Sequence, residues 1–158
     1  MSSENFYSTR KYLWGYFQLH ASQRLTTFNF YIVLSTLLST GLFSTFQKDF
    51  TVPVGVILGF LLVCFSFVFW KLDERNKGLI KLAETALMDL EKQLSPEAGE
   101  ALSIFTREAL ETGQLRANRS VWPWRNLYSY SDCFRLVFLL SASVGVIGGI
   151  FSAYRVFL

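Results

Sequence analysis

The sequence has little of the chemistry that enzymes and metal sites use. His20 is the single histidine, and the two cysteines, Cys64 and Cys133, lie far apart, so they form no zinc-ligand spacing and no disulfide framework. No serine or cysteine stands in a nucleophile motif with a histidine base. No glycine-rich phosphate loop is present. These absences predict a protein that is not an enzyme and that holds no metal and no cofactor.

Charge is also scarce, and its distribution predicts the fold class. Charged residues make up 17% of the 158 residues and hydrophobic residues 51%, whereas average soluble chains carry about 25% charged residues. Three stretches have no charge at all, at residues 25–47, 50–70 and 136–154. A helix needs about 20 apolar residues to cross a bilayer, and its backbone must be satisfied within the segment. The sequence therefore predicts an all-α membrane protein with three transmembrane helices.

The segments between these stretches predict the remaining organisation. The short connection between the first two stretches predicts a transmembrane hairpin. Apolar residues recur at helical spacing after Trp70 and indicate a helix that ends near Leu94. Ser95 as an N-cap and Pro96 at the first helical position predict a following helix, which Gly113 ends. The predicted parts are an N-terminal interfacial helix (1–24), a transmembrane hairpin (25–70), a cytoplasmic helical hairpin with a basic-aromatic linker (71–132), and a third transmembrane helix (133–158).

The N-terminal segment has two interpretations. Its mixture of aromatic and basic residues is typical of an amphipathic helix at the membrane surface. A cytoplasmic helix packed on the middle segment fits the same pattern, and both interpretations stay open.

Lysines and arginines predict the orientation. They lie before the first uncharged stretch and between the second and third, whereas only Lys48 and Arg155 lie on the opposite side. Because positive residues stay on the cytoplasmic side, the N-terminus and the middle segment are predicted to be cytoplasmic. The C-terminus is then on the far side, as an odd number of spans requires.

Small residues recur every four positions in two of the predicted spans. Such faces let helices approach closely in lipid, where packing must supply the attraction. The partner helix can belong to the same chain or to another. Because three spans and one small hairpin make a thin protomer, we expect a homo-oligomer within the lipid bilayer. The helix-packing residues are Gly55 and Gly59 in the second span and Ser141, Gly145, Gly149 and Ala153 in the third.

The first span is rich in hydroxyl groups. A polar stripe on a membrane helix can line a water-filled pore, but the same hydroxyls can bond to their own helix backbone instead. No acidic or basic residue lies inside any span, which argues against a proton relay or a coupled transporter. The predicted pore-lining residues are Ser35, Thr36, Ser39, Thr40 and Ser44.

Arginines and aromatic residues cluster before the third span. Arginines can hold phosphates while aromatic rings stack on bases, which predicts a site for a nucleotide or oligonucleotide. The other interpretation is an interfacial aromatic belt whose arginines contact lipid phosphates. The residues concerned are Arg116, Arg119, Trp122, Trp124, Arg125 and Tyr128.

Two stretches carry a resemblance to known proteins. Residues 20–30 and 69–80 read HASQRLTTFNF and FWKLDERNKGLI. They resemble small bacterial membrane proteins found beside anti-phage defence genes, namely RipA-like oligomeric membrane effectors and channel effectors such as that of the Hailong system. The resemblance implies a pore-forming effector in the bacterial inner membrane, controlled at its cytoplasmic face by a nucleotide-derived signal from a partner enzyme. The alternative is a membrane anchor or scaffold that recruits a soluble partner through the cytoplasmic helices.

Overall fold

The computed structural model describes residues 3–47, 52–98, 104–117 and 130–156, which form four helices. These are α1 (Ser3–Thr45), α2 (Val52–Ala98), α3 (Ile104–Ala117) and α4 (Tyr130–Val156). The predicted all-α class is confirmed for these residues. α1 is continuous, so no helix end separates residues 1–24 from the first uncharged stretch.

α1, α2 and α4 are each long and apolar enough to cross a membrane. The segments that meet this criterion of length and composition are Glu4–Thr45, Pro53–Gln93 and Tyr130–Arg155. Each covers most or all of one of the uncharged stretches predicted to span the bilayer. Membrane insertion itself and assembly into an oligomer stay predictions.

The ends of two helices differ from those predicted. α2 continues through Ser95 and Pro96 to Ala98, and α3 begins only at Ile104, so the prediction that Ser95 caps a new helix is wrong. Pro96 lies within one turn of the end of α2, where its missing N–H costs a single helical hydrogen bond. α3 also passes through Gly113 to Ala117, because glycine tolerates helical dihedrals at a cost of about 1 kcal/mol.

The chain divides into two units, each with its own packing. We call residues 24–75 and 129–158 the three-helix unit, and residues 1–23 and 76–128 the α3 unit. The core of the three-helix unit is aromatic and consists of buried Tyr31, Phe69, Phe134 and Phe138. Phe28 stacks on Phe134 with ring centroids 3.7 Å apart. The Tyr31 hydroxyl shares a buried hydrogen bond of 2.8 Å with Ser66 Oγ, so this core carries one satisfied polar contact.

The α3 unit is held by aromatic contacts and by one carboxylate. Phe105 of α3 packs edge-on against Phe17, with ring centroids 5.7 Å apart. The Glu91 carboxylate accepts hydrogen bonds from the backbone N–H of Phe105 at 3.3 Å and of Thr106 at 3.1 Å. Glu91 thus satisfies two of the N–H groups that the first turn of α3 leaves without helical partners, and its charge suits the positive end of the helix dipole.

Candidate functional site

One arginine joins all three helices of the three-helix unit. Arg24 of α1 forms a bidentate pair with Asp73 of α2, with Nε–Oδ1 at 2.6 Å and Nη2–Oδ2 at 3.1 Å. Its Nη2 also donates to Ser131 Oγ of α4 at 3.0 Å. The side chains of Arg24 and Asp73 are only 14% and 6% exposed. We call Arg24, Asp73 and Ser131 the Arg24 cluster.

The sequence places these groups at the same level for a simple reason. Arg24 directly precedes the first uncharged stretch, Asp73 follows the second, and Ser131 lies in the first turn of α4. Two antiparallel helices bring the start of one beside the end of the other. The polar groups at these positions therefore meet at the end of the unit.

The Arg24 cluster is electrically balanced within itself. Bidentate arginine–carboxylate pairs are among the strongest hydrogen bonds in proteins, because both partners are charged and their geometries match. The guanidinium carbon of Arg24 also lies 5.0 Å from the ring centroid of Phe134, within the range of a cation–π contact. The arrangement holds three helices together at one level, and nothing in it resembles a catalytic group with a free proton to transfer.

A second set of charges near this level is exposed. Glu74 contacts Lys71 at 3.3 Å and Arg135 of α4 at 3.2 Å. All three side chains are at least one third exposed. Exposed pairs of this kind contribute at most about 1 kcal/mol, so their charges remain available to a ligand of opposite sign.

The structure brings the predicted small residues of α2 and α4 together within one chain. A methyl group added at Gly59 would lie 2.7 Å from the carbonyl oxygen of Gly145 and 2.8 Å from Cα of Gly149. One added at Gly55 would overlap Ser152 Oγ. Ser141 and Ala153 are half-buried on α4. This crossing of helix backbones needs glycine, and it occurs inside the protomer.

Hydrogen bonds also join the helices where α1 ends. Arg155 of α4 donates through Nη1 to the backbone oxygen of Phe46 at 2.8 Å. That carbonyl follows the last residue of α1 and lacks a helical partner of its own. Arginine side chains therefore connect parts of the three-helix unit near both of its ends.

The predicted pore-lining hydroxyls bond to their own helix. Ser35 and Thr36 both donate to the backbone oxygen of Ile32, at 3.1 and 2.8 Å. Thr40 donates to Thr36 O at 2.9 Å, and Ser44 donates to Gly41 O at 2.7 Å. Ser35 is buried, whereas the other three are exposed on α1, and Ser39 is half-buried. Backbone bonding is thus present for four of the five, and the stripe lies largely on the outer surface of the protomer.

The predicted nucleotide site falls mostly outside the described residues. Arg116 lies in the last turn of α3, and the rest of the set lies outside the described part of the chain, namely Arg119, Trp122, Trp124, Arg125 and Tyr128. Among the described residues, no three His, Cys, Asp or Glu side chains are grouped to hold a metal ion. The absence of enzymatic activity and of a cofactor stays a prediction.

Sequence reasoning missed the Arg24 cluster, although a signal was present. Arg24 and Asp73 belong to the two stretches that carry the resemblance, residues 20–30 and 69–80. They have opposite charge and stand at matching ends of a predicted antiparallel hairpin. In the sequence, both charges were interpreted only as markers of the membrane boundary, so the ion pair between Arg24 and Asp73 was not predicted.

Comparison with known proteins gives one informative similarity. The chain is 38% identical over 150 residues to a curated protein of Escherichia coli, CD-NTase-associated protein 19. The match covers 92% of this chain and 91% of the relative. No protein-family model and no solved structure matches the chain.

Proposed function

The chain belongs to the family of CD-NTase-associated protein 19, and on that basis we propose that it is a membrane effector of bacterial anti-phage defence. The name of the relative associates it with a CD-NTase, the nucleotidyltransferase of the CBASS anti-phage system. Such a partner enzyme supplies a nucleotide signal. The proposed role is an oligomeric ion channel or membrane-permeabilising protein that this signal controls.

The outer surface of the three-helix unit is the observation that carries the proposal. Large apolar side chains are exposed on all three helices, among them Phe30, Leu37, Phe60, Leu139 and Ile150. Soluble monomers rarely expose apolar patches of this extent, whereas lipid is a favourable environment for them. The outer surface of the unit is apolar, and the polar Arg24 cluster lies at one end of it. This arrangement is expected of a unit that spans a bilayer and has its charged end at the membrane surface.

A pore in this protein would lie between copies of the chain. The α2–α4 contact at Gly59 brings backbone against backbone, so the interior of one protomer is filled at that level. The exposed hydroxyls of Thr36, Thr40 and Ser44 lie on the surface of α1, where neighbouring copies could face one another. Because these hydroxyls keep their own backbone bonds, their outward oxygen lone pairs can accept hydrogen bonds from pore water.

The signal is proposed to act on the cytoplasmic part of the chain. A cyclic or linear oligonucleotide has phosphates and bases, and arginines together with aromatic rings recognise both. The residues we propose for this contact are Arg116, Arg119, Trp122, Trp124, Arg125 and Tyr128. An aromatic belt contacting lipid phosphates is the competing role for them.

Ion flux from liposomes tests the effector proposal directly. Purified full-length protein is reconstituted into liposomes that contain an ion-sensitive dye, and the product mixture of a CD-NTase is added. We expect rapid dye release or depolarisation only when protein and product are both present. Absence of flux under every product condition, with a soluble protein recovered at fixed stoichiometry, would instead support the scaffold alternative.

Two matched variants test the position of the pore. Ser44 and Ser143 are both exposed and both donate to their own helix, to Gly41 O at 2.7 Å and to Leu139 O at 2.8 Å. Ser44→Leu places an apolar group in the proposed pore and should reduce flux by dewetting it. Ser143→Leu makes the same chemical change on α4 and should leave flux unchanged. Equal flux for the two variants would contradict a pore along α1.

A charge-reversal variant tests the signal site separately. Arg116→Glu combined with Arg119→Glu and Arg125→Glu should abolish the response to the product mixture, because the phosphates would meet like charges. The variant should still insert into membranes, since all three changes lie outside the predicted spans. An unchanged dose response would place the site elsewhere in the chain.

A further inference from the structure

An apolar groove of about 380 Å³ runs between α2 and α4 in the three-helix unit. Both helices contribute residues spaced by three and four positions, so each presents one continuous face to the groove. The lining residues are Val63, Ser66, Phe67 and Trp70 from α2 and Arg135, Phe138, Leu139 and Ala142 from α4. The volume lies within the usual range of ligand pockets, about 300–1,000 Å³.

The groove follows from the change in side-chain size along the two helices. At Gly59 and Gly145 the backbones touch, but further along, Trp70 and Phe138 take the place of the small residues. The residues that line the groove all come from α2 and α4, and buried Tyr31 of α1 packs in the aromatic core beside them. Phe67 and Leu139 are 55% and 65% exposed, so the groove is open on the outer surface.

The polar groups of the groove are concentrated towards one end. Arg135 lies there, and Lys71 Nζ lies 5.0 Å from the ring centroid of Trp70. Glu74 contacts both cations, so two positive side chains share this one carboxylate. The indole nitrogen of Trp70 is buried and has no hydrogen-bond partner among the described residues. A ligand with an anionic head and an apolar tail complements this arrangement.

The position of the groove relative to the uncharged stretches matches a lipid. Trp70 and Arg135 stand at the ends of the uncharged stretches, at residues 50–70 and 136–154, where a bilayer surface is expected. Val63 and Ala142 lie seven residues away from them, which is about 10 Å at 1.5 Å per residue. The groove therefore leads from the headgroup level into the hydrocarbon, along the direction of an acyl chain.

We propose that this groove binds one anionic phospholipid. An acyl chain packs against Phe67, Phe138, Leu139 and Ala142, and the phosphate lies between Arg135 and Lys71. A small rotation of the Trp70 ring gives its N–H an ester carbonyl or phosphate oxygen as acceptor. The proposal rests on the membrane location within the proposed function and on no part of the channel mechanism.

Native mass spectrometry of the full-length protein in mild detergent tests the site. The wild type should retain one phosphatidylglycerol per chain. Ala142→Trp fills the groove and should lose it, whereas Ile147→Trp, which introduces the same side chain at an exposed position outside the groove, should keep it. Equal retention by the two variants would overturn the proposal. Loss of oligomer size in Ala142→Trp with unchanged lipid content would also overturn it, because a second copy would then occupy the groove.

The headgroup contact has its own variants. Arg135→Gln should reduce the preference for phosphatidylglycerol over phosphatidylcholine roughly tenfold or more, as expected for one charge-assisted hydrogen bond. Glu74→Gln removes the competing carboxylate and should keep or strengthen that preference. An unchanged preference in Arg135→Gln would overturn the placement of the phosphate.

A measurement on folded protein guards against misfolding of the variants. Phospholipids brominated along the acyl chain should quench tryptophan fluorescence in the wild type, and the quenched part should decrease in Trp70→Phe. A quenched part of the same size in Trp70→Phe would overturn the site. If the protein retains the lipid but passes no ions, only the effector proposal is contradicted. If it passes ions normally but binds no lipid in the groove, only the lipid proposal is contradicted.

Discussion

Among the single side chains, Arg24 has the largest expected effect on stability. Arg24→Leu would leave the carboxylate of Asp73, which is only 6% exposed, without its cation. Removing one partner of a buried ion pair typically costs about 3–5 kcal/mol. We therefore expect a clear drop in the thermal unfolding temperature of the protein in detergent.

Two further variants test whether the loss of stability in Arg24→Leu comes from the unpaired charge of Asp73. Arg24→Leu/Asp73→Leu removes both charges and should unfold at a higher temperature than Arg24→Leu alone, because no buried charge is left unpaired. Lys92→Ala breaks an exposed pair with Asp89 and should change the free energy of unfolding by no more than about 1 kcal/mol. A double variant as unstable as the single one would refute the importance of the pair.

Between helices, the crossing of α2 and α4 makes the sharpest stability prediction. In Gly59→Ala the new methyl group meets backbone atoms of Gly145 and Gly149, which cannot rotate away. Forcing the helices apart should cost about 1–3 kcal/mol. Gly78→Ala is the matched control on the same helix, since nothing lies within 4 Å of its added Cβ. That variant should gain up to about 1 kcal/mol from helix propensity, and thermal unfolding in detergent measures both.

The start of α3 depends on a side chain from another helix. Glu91→Ala removes the acceptor for the N–H groups of Phe105 and Thr106. Loss of a cap of this type costs about 0.5–2 kcal/mol. We expect faster amide hydrogen exchange in the first turn of α3, whereas Asp89→Ala, an exposed neighbour on α2, should leave that exchange unchanged.

The sequence predicted those features whose pattern lies within one segment of the chain, and it missed those that depend on how two segments pack. Uncharged runs long enough to cross a bilayer predicted α1, α2 and α4, because the pattern lies within each segment. Pro96 misled the prediction of a helix start, since a proline within one turn of a helix end and one at a helix start look alike in sequence. The small residues indicated close packing, but only the fold shows that Gly59 meets Gly145. The pairing of Arg24 with Asp73 depends on how two helices align, which no single segment encodes.

For the molecule as a whole, the number of spans predicts its topology. Three crossings would put the termini on opposite sides, and the excess of Lys and Arg before and between the spans predicts a cytoplasmic N-terminus. A fluorescent protein that matures only in the cytoplasm should therefore be bright when fused to the N-terminus. Alkaline phosphatase, which is active only outside the cytoplasm, should be active when fused to the C-terminus. If the same reporter were active at both termini, the termini would lie on the same side of the membrane, which would contradict three crossings.

The two arginine contacts at the ends of the three-helix unit restrict how that unit can move. Arg24 holds α1 to α2 and α4 at one end, and Arg155 holds α4 to the carbonyl of Phe46 at the other, with the Gly59 crossing between them. Because contacts hold the helices together at three levels, we expect the three-helix unit to move as one rigid body. Spin labels placed within a single copy should then keep their mutual distances when the signal is added, and only distances between copies should change.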